Sequence, residues 1–459
     1  MEELESATAE KARPFPCDRG DRPDALLHSR AVPAANPSPR RTRSPLVTVF
    51  LTVFIDLLGF GIVIPLLPVY SKAYGASELS LGLLFASFSA MQFVFAPFWG
   101  RVSDRWGRRP VLLGGLVGTS LSYVLFGLAS SMTGLFAARM LAGFFGANVA
   151  TAQAYIADVT DENDRAKGMG MVGAAFGLGF TFGPLIGGEL AAWEMGLPGF
   201  AAAGFSACAA LYGFLRLEEP PRKRESSSRL FGLETVREVT GDGRIGCVML
   251  LYFLGILAFS GFETMFIRFG LARFPSVFGL EGALASANLE EIQAAAPIAG
   301  RYMFFIGLVA AVIQGGLIRR LVPRFGELRL IVAGPALLGL SLAIIGLAQS
   351  WWVVILGCAV MPFGFGINNP SLNGLLSRAA PAARQGAVLG MNQSLASLAR
   401  VLGPLLAGLL FGAVGPGAPF YAGAAILAGA ALLAARYRAR HGATFARSDA
   451  PTGRAREPA

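Results

Sequence analysis

Charge is scarce in this sequence: of 459 residues, 15% are charged, against about 25% in an average soluble domain. That shortage excludes water as the main solvent of the chain. Only two histidines occur, His28 and His441, both in polar tails, so proton chemistry inside the apolar segments falls to carboxylates rather than imidazole. Four cysteines (Cys17, Cys208, Cys247, Cys358) lie far apart without CxxC spacing, which leaves neither a disulfide framework nor a zinc site. No GxxxxGK followed by Ser or Thr is found, and Gly177-Leu-Gly179 and Gly364-Phe-Gly366 sit inside apolar runs rather than at strand-turn-helix junctions. Nucleotide-driven work and cofactors are therefore not expected. The apolar segments also lack a Ser–His or Cys–His pair, a metal cluster or paired acids on one helix, which argues against an enzyme.

What is present is apolar length. Hydrophobic residues make up 54% of the chain and mean hydropathy is +0.55. The apolar residues fall in blocks long enough to cross a hydrocarbon core of about 30 Å. Twelve such runs can be placed, at 47–70, 80–99, 111–129, 134–157, 168–191, 198–215, 247–269, 298–318, 328–349, 351–377, 386–413 and 417–435. The expected fold is an all-α membrane protein of twelve transmembrane helices. Residues 1–44, rich in Arg, Pro and Ser with four acids in the first ten positions, have no apolar core and read as a disordered cytoplasmic tail rather than a secretory signal. Residues 437–459 share that polar character.

The net charge of +10 tracks membrane sidedness rather than nucleic acid. Nineteen Lys or Arg fall in five alternate connections, Arg101–Arg109, Arg165–Lys167, Arg319–Arg329, Arg378–Arg384 and Arg216–Arg244; the opposite loops hold only Lys72 and Arg273. The positive-inside rule puts the rich side, and with it both termini, in the cytoplasm. The stretch 217–246, beginning near Pro220-Pro-Arg-Lys-Arg, reads as a cytoplasmic linker between a six-helix bundle at 45–216 and another at 247–436. An internal repeat supports that division. Arg105-Trp106-Gly107 recurs as Arg324-Phe325-Gly326 at an offset of 219, and Gly183-Pro184-Leu185 as Gly403-Pro404-Leu405 at 220, as expected of a duplicated transporter fold.

Several constellations carry mechanism. Asp56 lies in the first run, about 13 Å along a helix starting at Val47, and an intramembrane acid is a functional hypothesis by default because its insertion costs about 2.5–3.5 kcal/mol. Arg139 in the fourth run is its candidate partner, either as a proton-sensitive pair or as a static interhelical ion pair that fixes packing. In Gly100-Arg-Val-Ser-Asp104-Arg105-Trp-Gly107-Arg108-Arg109, the two glycines permit a tight turn. Asp104 can accept charge-assisted hydrogen bonds there. Such a cluster can latch two halves together, or its arginines can serve anionic lipid alone. The aligned second-half stretch has Arg319 for Gly100 and Pro323 for Asp104, so the latch is expected to be asymmetric.

In the fifth run Gly179, Gly183 and Gly187, with Pro184 and Gly188 beside them, form a smooth face for close backbone approach. Further polar candidates for a cavity are Gln92, Asn148, Glu263, Asn368, Asn369, Asn392, Gln393 and Arg400. For the amides an interhelical hydrogen bond stands beside substrate contact. For Glu263 an ion pair with Arg400 stands beside reaching lipid headgroups. Phe60 and Phe176 are candidates for an apolar cavity lining.

The Gly100–Arg109 stretch resembles the signature loop of the major facilitator superfamily. Together with Met91–Pro97, Ala154-Tyr-Ile-Ala-Asp158-Val-Thr and Phe176–Gly188, it makes residues 50–190 similar to the tetracycline efflux proteins of the drug/proton antiporter branch. Phe176–Gly188 resembles that branch's antiporter motif and Arg139 its fourth-helix arginine. The resemblance implies two six-helix pseudo-repeats around a central cavity lined by helices 1, 4, 7 and 10. It further implies a monomer in a bacterial cytoplasmic membrane that exports a small amphipathic drug against protons by alternating access. A metabolite carrier and a non-transporting sensor or scaffold are the rival expectations, since one fold hosts many functions.

Overall fold

The computed structural model describes residues 45–160, 162–220, 243–282, 284, 286–313, 318–380 and 385–448. The tail expected over 1–44, most of the linker (221–242) and residues 449–459 lie outside the described residues. Among the described residues twelve helices are long and apolar enough to cross a membrane: α1 Leu46–Ala73, α2 Glu78–Trp106, α3 Arg108–Gly127, α4 Met132–Val159, α5 Gly170–Trp193, α6 Leu197–Arg216, α7 Gly243–Arg273, α8 Leu289–Val312, α9 Glu327–Leu347, α10 Trp351–Ala379, α11 Val388–Ala413 and α12 Ala418–His441. All the described regular structure is helical, and the protein is an all-α, multi-pass integral membrane protein. Twelve crossings put the start of α1 and the end of α12 at one end, here called the tail-bearing end.

Several boundaries differ from the sequence expectation, among them the start of α8, at Leu289 rather than 298, and two are informative. The Gly100–Arg109 stretch is helix on both sides of one residue: α2 runs to Trp106 and α3 starts at Arg108. Only Gly107 turns the chain, at φ +111, where a side chain would be strained. Gly100 is helical and a Cβ there would meet open space. The repeat partner of Gly107, Gly326, also sits at positive φ, +73. At the other boundary, the last helix continues to Ser448 rather than stopping at 436, because Arg and Ala are strong helix formers and no proline intervenes before Pro451.

Helix packing follows the repeat. Helices α1 to α6 pack among themselves, chiefly α1 on α5 and α6, α3 on α6 and α4, and α2 on α4; α7 packs on α11, α12 and α10, and α9 on α10 and α12. The two groups meet along α5 with α8 and α2 with α11. Lipid provides no hydrophobic drive between helices, so close backbone approach at small residues decides which faces meet. Gly179, Gly183 and Gly187 of α5 press on Leu57, Gly61 and Ile62 of α1, while Pro184 and Gly188 of the same helix press on Ala296, Pro297 and Gly300 of α8. The repeat copy does the same: Gly403 of α11 meets Leu257 and Ser260 of α7, and Pro404 and Gly408 meet Gly82 and Glu78 of α2. Each of the two helices thus serves its own group on one face and the other group on the next.

The apolar cores are unequally shared. One core draws Ile62–Tyr70, Leu81 and Phe126 from the first group together with Phe262–Leu271, Trp351 and Phe420 from the second. Two smaller cores lie toward the tail-bearing end, one built wholly from α1, α3, α4, α5 and α6 and the segment after α6, the other wholly from α7, α9, α10, α11 and α12 and adjoining residues. The groups are therefore joined at the far end and part toward the tail-bearing end. Polar ties reinforce the far end. Arg268 of α7, 1% exposed, donates from Nη2 to the Ala76 carbonyl at 2.9 Å and to Glu78 at 3.1 Å. Arg301 of α8 pairs with Glu189 of α5 at 2.8 Å, and Gln293 of α8 donates to the Ala191 carbonyl at 3.0 Å.

Two outcomes follow from this packing. In Gly183→Val the new side chain meets Gly61 backbone that cannot move, and overpacking of this kind costs about 1–3 kcal/mol; the purified variant is expected to melt well below the wild type by thermal-shift fluorescence. In Glu78→Gln the buried Arg268 loses its anion, a loss of about 3–5 kcal/mol for a buried pair. A Leu81→Cys reporter, 0% exposed, in a background with Cys17, Cys208, Cys247 and Cys358 changed to Ser, should then react several-fold faster with a membrane-impermeant maleimide reaching the far end.

Candidate functional site

Asp56 is 8% exposed and is held by neutral donors. Ser206 of α6 donates Oγ to Asp56 Oδ1 at 2.8 Å, and Asn148 of α4 donates Nδ2 to Oδ2 at 3.2 Å. The same amide lies 3.4 Å from Thr119 Oγ1 of α3. Four helices of the first group converge on this carboxylate. Asn148 reaches it because α4 is interrupted: one helical stretch ends at Phe145 and the next starts at Asn148. The interruption frees carbonyls that α2 satisfies, with Gln92 Nε2 donating to Gly146 at 2.7 Å and Trp99 Nε1 to Phe144 at 2.6 Å. Gln92 is thus an interhelical hydrogen bond and Asn148 a ligand of Asp56.

Arg139 and Asp56 are not brought together. Asn148 fixes the level of Asp56 on α4, and Arg139 lies nine residues away on that helix, about 13 Å toward the far end. Arg139 is 3% exposed and its guanidinium carbon sits 4.4 Å from the Phe88 ring centroid, a cation–π contact. Its Nε and Nη1 have no hydrogen-bond partner. Phe88 belongs to an aromatic column: Phe60 lies 5.4 Å from Phe88 and 5.7 Å from Phe180, which stacks on Phe176 at 6.2 Å. These four rings are half-buried, and both residues considered as an apolar lining, Phe60 and Phe176, belong to this column.

In the second group the polar candidates separate. Asn368 is wholly buried beside Gly255 of α7 and Gly334 of α9, with both amide atoms unpartnered. Asn369 also has an unpartnered Oδ1, and Asn392 donates to Asn373 at 3.3 Å while its own Oδ1 stays unpartnered. Such orphaned polar atoms are costly in a protein interior and mark places for water or a ligand. Gln393 is exposed. Arg400 Nη2 donates to Ser397 Oγ at 3.3 Å. Glu263 is half-buried. No group of three or more potential metal ligands exists among the described residues.

The α2–α3 junction is knit by acids beyond Asp104. Arg108 Nη1 pairs with Asp104 at 2.7 Å and its Nε with Asp158 at 3.0 Å, and Nη1 also donates to Ser103 Oγ at 3.1 Å. Glu219 accepts the backbone N–H groups of Arg108 (2.6 Å) and Arg109 (3.0 Å), capping the positive end of α3. A Cβ on Gly107 would fall 2.5 Å from that carboxylate, a second reason for glycine there. Arg109 donates to the Phe214 carbonyl at 2.7 Å. Sequence reasoning missed Glu219, Arg268–Glu78 and Arg301–Glu189. Glu219 is the second of an acid pair next to a basic run and is silent in sequence about the helix it caps. In the second half Glu327 pairs with Arg378 at positions matching Arg108 and Asp158, with the signs exchanged.

The comparisons agree with this architecture. The chain is 31% identical over 382 residues to the tetracycline resistance protein, class C, of Escherichia coli, covering 81% of this chain and 91% of that one. It is 33% identical over 382 residues to multidrug resistance protein 1 of Bacillus subtilis (strain 168), covering 82% and 92%. The crystal structure of the human organic anion transporter MFSD10 (TETRAN) superposes with a TM-score of 0.65 at 28% identity, covering 87% of this chain and 100% of that one. The family model for the Major Facilitator Superfamily matches residues 49–401 and 301–456, and with twelve helices packed as two groups of six, this chain belongs to that superfamily of transporters.

Proposed function

We propose that the protein is a proton-coupled antiporter that exports a small amphipathic drug, such as a tetracycline or a wider set of lipophilic compounds, by alternating access. Asp56 carries the reading. It is an acid buried inside the membrane-spanning layer, and its hydrogen bonds come from neutral donors, so taking up a proton breaks no ion pair. In this reading residues 45–216 and 247–436 are the two moving bodies, joined by 217–246, and the molecule works as a monomer. The tail-bearing end carries most of the Lys and Arg and is cytoplasmic by the positive-inside rule. The separation of the two tail-end cores then corresponds to an inward-facing state in a bacterial cytoplasmic membrane. Asp104, Arg105, Arg108 and Arg109 close that end in the opposite state, and the Gly179–Gly188 face lets α5 slide between α1 and α8.

The aromatic column from Phe176 to Phe88 suits a planar apolar cargo, and the tetracycline and multidrug resistance relatives favour drugs. An anionic cargo is the second reading, favoured by the buried Arg139, two of whose nitrogens have no hydrogen-bond partner, and by the organic anion transporter among the similar structures.

Expression in a drug-sensitive bacterial host tests the cargo: resistance to tetracyclines or lipophilic cations supports drug export, and none to either class, with no anion flux, would sink it. In inverted vesicles holding a preset proton gradient, addition of the drug should release protons. Asp56→Asn is expected to abolish that release by at least tenfold while leaving a folded, monodisperse protein, and intact proton release in this variant would refute the role of Asp56.

A further inference from the structure

The internal repeat reaches into the hydrogen-bond partners of Asp56. Gly107 matches Gly326 at an offset of 219, which sets Gly115 of α3 beside Gly334 of α9 in the alignment, and Asn148 precedes Asn368 of α10 by 220, the offset that relates Gly183 to Gly403. Contacts agree with these offsets: Gly115 packs on Asn148, and Gly334 packs on Asn368. Gly196, packed on Gly127, likewise matches Gly417, packed on Gly346, at an offset of 221. Carried through, the offsets put Leu338 where the first group has Thr119 and Leu427 where it has Ser206; with Gly61 matched to Gly261, Ile256 stands where it has Asp56. All three replacements are buried. Of the four polar residues that build the acid site, the second group keeps only the amide.

That amide is left alone. Asn148 directs Nδ2 at Asp56, whereas Asn368 is 0% exposed and neither its Nδ2 nor its Oδ1 has a partner. A buried primary amide in that condition is costly and marks a place for a ligand. Space for one lies at Gly255 of α7. A Cβ built there would stand 2.8 Å from Asn368 Nδ2 and, outside α7's own backbone, would meet no other atom within 4 Å. The notch is narrow, and it ends on a donor at hydrogen-bond range. Acceptors stand close by. Pro335 follows Gly334, and Pro370 lies two residues past Asn368; a proline inside a helix offers no N–H to the carbonyl four residues earlier, so Ile331 and Gly366 lose that partner. The first group has Leu116 and Ala150 at the matching positions. Ser371, one turn along the same face of α10, is 1% exposed with an unpartnered Oγ. One turn toward the far end Phe259 and Phe365 stack at 4.1 Å, and one turn the other way lie the buried Tyr252 and Leu372.

A donor in the wall disfavours a metal cation, and acceptors disfavour an anion, so the occupant is neutral and both donates and accepts. We propose that Asn368 and the notch at Gly255 form a binding site for one hydroxyl-type oxygen, the uncharged counterpart in the second group of the Asp56 carboxylate in the first. Water supplies that oxygen while the protein is empty, as it does for buried polar groups with two or more free partners. A hydroxyl of the cargo replaces it once Phe259 and Phe365 part, and only this step rests on the transport reading. The site carries no ionisable group and binds no proton. The two six-helix groups then differ in kind, with an acid seat in one and a neutral polar seat in the other.

The test begins without a cargo. Radiolytic labelling of the purified full-length protein, in water enriched in oxygen-18, marks side chains that touch a bound water even where they are buried. In wild type Ile256 and Leu372 are expected to take up several-fold more label than Leu81 and Leu112, which are equally buried but lie away from the notch. Asn368→Leu should bring both down to the level of Leu81, while Asn368→Ser, which keeps a hydroxyl, should retain the label. A variant that failed to fold would gain label throughout, so a loss confined to Ile256 and Leu372 identifies the site. Wild-type label at the level of Leu81, or label unchanged in folded Asn368→Leu, would overturn the proposal. The cargo step is read by repeating the labelling with saturating tetracycline, which bears several hydroxyls, and with ethidium, which bears none. Tetracycline should lower the label at Ile256 several-fold and ethidium should not. Equal label with and without tetracycline, in a protein that exchanges protons for it in inverted vesicles, would overturn the cargo step and leave the water site standing. If wild type releases protons to neither probe, export of these drugs fails, and the labels without cargo still decide the water site.

Discussion

Everything in this molecule hangs on how closely α5 and α11 approach four other helices. In lipid the helices gain nothing by hiding apolar faces from one another, so contact geometry has to be provided by the absence of side chains. Gly179, Gly183 and Gly187 on one face of α5, and Pro184 and Gly188 on the next, bring its backbone against both α1 and α8. Gly403, Pro404 and Gly408 repeat the arrangement on α11 against α7 and α2. The shared far-end core, the Arg268–Glu78 seal and the gap between the tail-end cores all follow from those two double-faced helices.

Much of this was legible in the sequence, for physical reasons. Twelve apolar runs and the glycine spacing of the fifth are local properties of the chain, and both set the fold directly. Helix ends were less legible: α2 passes straight through Gly100, because nothing forces a turn until the positive φ of Gly107. The Asp56 site was half visible. A carboxylate in an apolar run announces itself, but its partners Ser206 and Asn148 are unremarkable in sequence, and only the interruption of α4 after Phe145 aims Asn148 at it.

The expected Asp56–Arg139 pairing shows where one-dimensional reasoning stops. Two opposite charges in apolar helices invite pairing, since neither is easily left alone in lipid. Depth along the helix decides otherwise. With Asn148 already level with Asp56, Arg139 is displaced toward the far end and rests on Phe88. Aromatic support replaces direct contact with an acid, a solution that leaves two nitrogens of the guanidinium without a partner.

The exchanged ion pairs at the two helix junctions have a different meaning from the buried acid Asp56. Arg108 with Asp158 in the first repeat and Glu327 with Arg378 in the second occupy corresponding places with reversed polarity. A bond that works with either polarity is selected for its existence, as a rivet is, and not for the proton it carries or the ion it attracts. The duplication has therefore left behind its own control experiment: positions where sign is interchangeable between the copies hold the frame, and Asp56, whose matching position is the apolar Ile256 when Gly61, packed on Gly183, is aligned with Gly261, packed on Gly403, has no such counterpart.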